Sequence, residues 1–327
     1  MDLINNTRNQ HFVSQAEQRL NAANPSAQND NQRIYSFTCK NRESCTVTID
    51  SMDARKIKGT LWLGDLFSFD VIDDDKRYNF ENLFQQYENN IETSTKRILS
   101  SLPVVGEDIK TETRRLFDYK FLNFVRNPYS IKNVLNTFPR LRKLRPTDPF
   151  HLTHFNRVLQ GRKPHQQHLC QQLIISDDVY SDWLSVLFLL LTDFVGNERS
   201  MMKEVTDEMF QNPNHIVFVW IYTYDNETCL LSDRGYSIPV SPNEHFAMDF
   251  NLCSHGFIRY FIGDVNVLTP LCFSKELVAQ FKTVPRSLTV THISNDLAAL
   301  EQYNQHVVYQ CHQKVFNARR ECYGIEC

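Results

Sequence analysis

The sequence predicts an α+β fold: a central helical bundle followed by an antiparallel sheet, with a small N-terminal helix and hairpin and a long C-terminal helix. Three observations predict it. Apolar residues recur at helical spacing through most of 79–210. From His215 the pattern changes to β-branched and aromatic runs separated by Asp-Asn, Pro-Asn and Gly-Asp turns. Helical spacing then returns from Asn295 to Arg319. Helices grouped ahead of strands, around one core, are the α+β arrangement. The segments divide as 1–75, 76–212 and 213–327 of one compact domain.

Taken in order, a short helix is expected over His11 to Ala23, stopped by Asn24-Pro25. Ile34, Tyr35 and Phe37, then Cys45, Val47 and Ile49, have the spacing of a hairpin. A helix from Asn79 to Leu102 carries Phe80, Phe84, Tyr87, Ile91, Ile98 and Leu102 on one stripe, and Pro103 follows it. Further helices are expected at Glu107–Val125, Ser130–Phe138, Pro149–Gln160, Gln166–Ile174, Asp177–Phe194 and Glu198–Phe210. Ile216 to Tyr222 reads as a central strand. Thr228–Ser232, His245–Phe250, Gly256–Ile262 and Val265–Thr269 read as further strands. A helix at Ser274–Phe281 and a short strand near Leu288–Val290 precede the terminal helix.

Composition excludes several function classes. With 42% hydrophobic and 22% charged residues, the chain has the makings of a sizeable core. A formal charge of -3 means that any nucleic-acid contact needs a local basic patch. Only nine glycines occur, with no glycine-rich phosphate loop, which argues against a dinucleotide fold or a P-loop NTPase. Nine scattered cysteines without a C-x-x-C predict reduced, mostly buried thiols. The polar first ten residues lack an apolar segment, and Trp183 to Val195 is too short for a bilayer; a cytoplasmic protein without membrane contact is expected.

Several residues could carry chemistry. Glu81, Glu88 and Glu92 fall on one flank of the expected long helix, where carboxylates can hold a divalent metal or activate water. The plain alternative is a solvated flank or an ion pair with Arg126 or Arg114. His151, His154, His165 and His168 have a spacing open to zinc, but no cysteine pair supports it. Between Phe138 and His168 stand Arg140, Arg142, Lys143, Arg145, Arg157, Arg162 and Lys163 against Asp148 alone, a run suited either to phosphate or to solvent. Asp73-Asp74-Asp75 suits a turn ahead of a helix. Asp233, after an apolar strand, is a candidate acid, and Asn304 interrupts the apolar stripe of the last helix as an internal cap.

Five blocks, in order, resemble a bacterial family catalogued as domain of unknown function 4238. They are His11-Phe12-Val13-Ser14-Gln15, the glutamates Glu81 and Glu88, Arg126-Asn127-Pro128, Ser232-Asp233 and Pro239-Val240-Ser241-Pro242. The chain departs from the pattern at Ser14, where the family has proline, and at Ala16-Glu17-Gln18, where aromatic residues are usual. The resemblance implies a bacterial cytosolic α+β protein and supplies no reaction. His11, its opening residue, could assist acid–base chemistry. No histidine follows before His151, so a local HNH nuclease unit is absent. The expectation drawn is an effector acting on or sensing nucleic acid or a nucleotide, possible in phage defence. His11, Glu81, Glu88 and Asp233 would be catalytic, and Arg126, Arg140, Arg142, Lys143 and Arg145 would bind phosphate. The rivals are a non-catalytic module recognising a protein through its sheet, and a structural partner in a multi-gene system.

Overall fold

A computed structural model describes residues 1–73, 76–102, 106–193, 199–239, 245–267, 274–283 and 288–327. The fold is α+β, as expected. The chain forms two compact units, each assembled from separated segments: Met1–Ser14, Gly59–Asn90 and Phe121–Glu204 in the first, and Gln15–Lys58, Ile91–Lys120 and Val205–Cys327 in the second.

The first unit is built around the helix Asp177–Leu191, which packs against Ile131–Thr137, Pro149–Gln160 and Gln166–Leu173. Ser176 caps it by accepting from the Val179 N–H, and every residue from Trp183 to Leu191 is buried. Its two largest rings also satisfy their polar ends: Trp183 donates to the Val125 carbonyl at 2.9 Å and Tyr180 to that of Leu66 at 2.7 Å. Short two-stranded ribbons complete the unit, Asn9–His11 with Trp62–Gly64 and Asp70–Asp73 with Lys76–Tyr78.

The second unit holds two sheets. In the four-stranded one, His245–Cys253 pairs Gly256–Asp264, which pairs His215–Thr223, all antiparallel. Thr289–Ser294 adds to His215–Thr223 in parallel, so the sheet is mixed where an antiparallel one was expected. One face packs on helices through Phe117, Phe210 and Tyr260, with Tyr260 donating to the Thr113 carbonyl at 2.7 Å. The other face meets the helix Leu297–Gln310, where Tyr303 stacks on Phe257 with centroids 4.2 Å apart. The second sheet runs in the order Thr46–Ile49, Arg33–Asn41, Lys314–Asn317, Leu231–Ser232. Its first two strands are the expected hairpin.

Several further expectations differ from the structure. His11 lies in a strand, opposite Trp62, and the helix is only Gln15–Arg19. The helix expected from Asn79 to Leu102 is two, Glu81–Glu88 and Ile91–Ser101, broken at Asn89-Asn90. The terminal helix stops at Gln310, and Lys314–Asn317 is a strand paired with Thr38 to Tyr35. Residues 265–267 form a helical turn instead of a strand. Asp74, Asp75, Pro103, Phe194, Glu198, Thr269 and Val240-Ser241-Pro242 lie outside the described residues. Among the described residues no helix is long and apolar enough to cross a membrane.

Candidate functional site

The break at Asn89-Asn90 decides which glutamates belong together. Glu92 lies beyond it, in a solvent-facing pair with Lys96 at 2.6 Å. Glu81 and Glu88 share the helix Glu81–Glu88, two turns apart on one face. The end of the helix Glu107–Arg126 supplies the opposite charge: the Arg126 guanidinium, 1% exposed, pairs with the Glu88 carboxylate. It also approaches Asn123 Oδ1 at 3.4 Å and lies over the Phe84 ring, 5.2 Å from its centroid. Two separated blocks of the sequence therefore meet in one ion pair.

Two polar atoms of this cluster stay unsatisfied. Arg126 Nε and Glu81 Oε1 are both buried without a hydrogen-bond partner among the described residues. Burial, reinforced by the Glu88 charge and opposed by Arg126, pushes the Glu81 carboxyl up to about 7. A carboxyl at that value exchanges its proton near neutrality, which suits acid–base work. Arg126 is already committed to Glu88, so gripping a phosphate would require that pair to open.

Glu81 holds its proton more tightly in the folded chain than the ordinary 4.5 of an unfolded one. Its contribution to stability is complete below the unfolded value and is lost as pH rises through about 7. Each unit of such a shift is worth about 1.4 kcal/mol. Glu81→Gln is therefore expected to flatten the fall in stability between pH 5 and pH 8, measured by urea unfolding at both values.

The basic run folds onto the surface of the same unit. Arg140, Arg142, Lys143 and Arg145 are exposed on and beside the 3-10 turn Leu141–Lys143. Arg142 pairs with Asp182 at 2.6 Å. Arg145 donates to the Leu144 carbonyl at 2.9 Å and lies over Phe155, while Arg157 reaches Asp70 at 3.0 Å. Arg140, Lys143 and Arg145 have no ion pair among the described residues. Leu144 and Phe150, 45% and 52% exposed, stand in the same stretch.

The histidines do not make a metal centre. His151 Nδ1 meets Asp148 at 2.7 Å at the start of Pro149–Gln160, His165 Nε2 lies 3.4 Å from Asp65, and His168 is exposed. No group of three metal-ligating side chains occurs among the described residues.

Asp233 belongs to the second unit, with His11 in the first. Its carboxylate accepts from the backbone N–H groups of His312, Gln313 and Lys314 at 2.7, 2.7 and 2.8 Å. Burial raises its carboxyl above the ordinary range, and these three donors oppose that rise. The bonds fix the turn between the last helix and the strand Lys314–Asn317. Asp233→Ala should cost about 1–3 kcal/mol by leaving those donors without their acceptor, checked by urea unfolding. Asn304 is the internal cap expected of it, accepting from Leu230 N at 3.0 Å and donating to the Tyr323 carbonyl at 3.0 Å.

Sequence reasoning missed two charged pairs in the second unit. Glu17 and Lys120, each about 1% exposed, form a buried ion pair, and Lys120 Nζ also donates to the Asn251 carbonyl at 2.7 Å. Asp249 and Arg259 face each other across neighbouring strands in a bidentate pair, 2.7 Å at both contacts. A signal existed for the second: one charge of each sign interrupts the apolar runs on either side of the turn before Gly256. No family model matches the chain, and neither a curated protein nor a solved structure matches it.

Proposed function

We propose that this chain contacts nucleic acid through the basic turn at Arg140, Arg142, Lys143 and Arg145, and that Glu81 serves as a proton-exchanging group in the same unit. The biological setting we propose is a bacterial cytosolic effector acting on or sensing nucleic acid or a nucleotide, in phage defence. One observation carries the binding reading. Three exposed cations project from a single turn without carboxylate partners among the described residues, in a chain whose net charge is -3. Free cations on an acidic protein are the electrostatic footprint of a polyanion site. Exposed Phe150 adds a ring on which a base could stack.

Membership of the domain-of-unknown-function family is part of the proposal. It is supported by the order of the motif blocks and by the pairing of Glu88 with Arg126. At the departure from the family pattern, Glu17 and Gln18 are buried, with Lys120 neutralising Glu17.

A second reading, a module that recognises an acidic protein, is favoured by the exposed Leu144 beside those cations. Fluorescence anisotropy with labelled single- and double-stranded oligonucleotides separates the two. Binding that weakens steeply with salt is expected, and no binding at low salt would leave the protein-partner reading in its place.

A further inference from the structure

The four-stranded sheet of the second unit carries a polar row that none of the chemistry above uses. Ser237 and Asp249 exchange both backbone hydrogen bonds, at 2.9 and 2.8 Å, so their side chains share a face. Asp249 is opposite Arg259, Arg259 opposite Trp220, and Trp220 opposite Thr291. One row therefore reads Ser237, Asp249, Arg259, Trp220, Thr291 across five strand positions.

The helix Leu297–Gln310 covers the neighbouring row, where Tyr303 stacks on Phe257 and Phe257 on Tyr222. On the other side the rings are half-buried and meet one another. Phe218 stacks on Trp220 at 5.7 Å, Phe261 lies 6.4 Å from each, and His245 lies 5.3 Å from Phe261. The result is an aromatic ledge bordered by a fixed polar edge.

That edge is polar and carries a balanced pair of charges. Asp249 is fully buried and holds Arg259 through Nε and Nη2, which neutralises the pair and freezes the guanidinium. Arg259 Nη1 has no hydrogen bond among the described residues. The Ser237 hydroxyl and His306 Nδ1 are both buried without partners among them, and Ser237 is 0% exposed. His306 feels both Asp249 and Arg259, and burial lowers its affinity for a proton, so it stands as a neutral imidazole. Gln310 pins the chain next to Ser237 by bonding both backbone groups of Ile238, at 2.6 and 2.8 Å. Of these three groups, Ser237 and His306 keep their unmet capacity inside the fold, while Arg259 is partly exposed and can offer Nη1 to a ligand at the edge of the ring-lined surface.

We propose that this face binds a nucleobase, its ring stacked on Trp220 and its carbonyl and ring-nitrogen edge met by Arg259 Nη1, one strand away. A base presents a flat π-face together with donors and acceptors in its own plane, which is the combination that the ledge and the row offer. The neutralised Asp249–Arg259 pair places recognition on the base and not on a phosphate. The site stands on residues separate from the basic turn.

The test is calorimetric titration of the full chain with adenosine, guanosine, cytidine and uridine, then with their monophosphates and with methyl glucoside. At least one nucleoside should bind, with its monophosphate no more than a few-fold tighter. Trp220→Leu should weaken binding by about tenfold or more, with its urea midpoint confirming that the variant folds. Failure of every nucleoside to bind at millimolar concentration would overturn the proposal. So would binding indifferent to Trp220→Leu, or methyl glucoside binding with the same dependence on Trp220, which would make the face a sugar site.

Discussion

Lys120→Met is expected to destabilise the protein by about 3–5 kcal/mol, a large share of a domain's total stability. The reason is not the loss of attraction alone. Glu17 is 1% exposed, and without Lys120 its charge would remain in the interior deprived of this ion pair. The Asn251 carbonyl would lose a donor at the same time. The double variant Glu17→Leu/Lys120→Met should recover most of the loss, because replacing both members of a buried pair with apolar groups is often nearly neutral. Urea unfolding of the two single variants and the double variant measures this directly. A double variant as unstable as the singles would show that the pair anchors a wider network, through Asn21 and Asn251, which hydrogen-bond at 2.7 Å.

Reversing Arg140, Lys143 and Arg145 to glutamate is expected to weaken oligonucleotide binding at least a hundredfold at low salt. Each phosphate neutralised releases condensed counterions, contributing about -0.9 to the slope of log K against log salt for duplex and about -0.7 for single strands. Losing three contacts should therefore flatten the slope by about two to three. Arg142 makes a useful comparison. It is tied to Asp182 at 2.6 Å, so Arg142→Ala should weaken binding less than Lys143→Ala does. None of these side chains is buried, so stability should stay within about 0.5 kcal/mol of the parent.

The parts of the fold legible in the sequence were those written in local signals. Pro149–Gln160 begins with Asp148 accepting from the His151 N–H and with proline in the first turn, and its limits match the expected ones. The apolar helix at Asp177 and the central strand at His215 were likewise fixed by periodicity. What failed depended on distant partners. Glu81 and Glu92 share a helical flank by spacing, but Asn89-Asn90 ends the first helix between them. Lys314–Asn317 continues an apolar stripe in sequence, yet Asp233 captures the backbone just ahead of it and turns it into a strand.

The candidate residues divide in the same way. Glu81, Glu88 and Arg126 were named from separate blocks, and the structure joins them because two helices bring opposite charges together. Asp233 was read as a possible catalytic acid from its place after a strand, a position that also suits a residue holding a turn. The Asp249–Arg259 pair was overlooked because each residue is a lone charge in an apolar run, and only the hairpin register sets one against the other.

The turn around Lys143 is the proposed nucleic-acid contact. It is tested most directly by the salt dependence of oligonucleotide anisotropy for the parent and for Arg140→Glu/Lys143→Glu/Arg145→Glu. A steep negative slope is expected for the parent and a markedly shallower one for the variant. Equal slopes, or parent binding insensitive to salt, would contradict it.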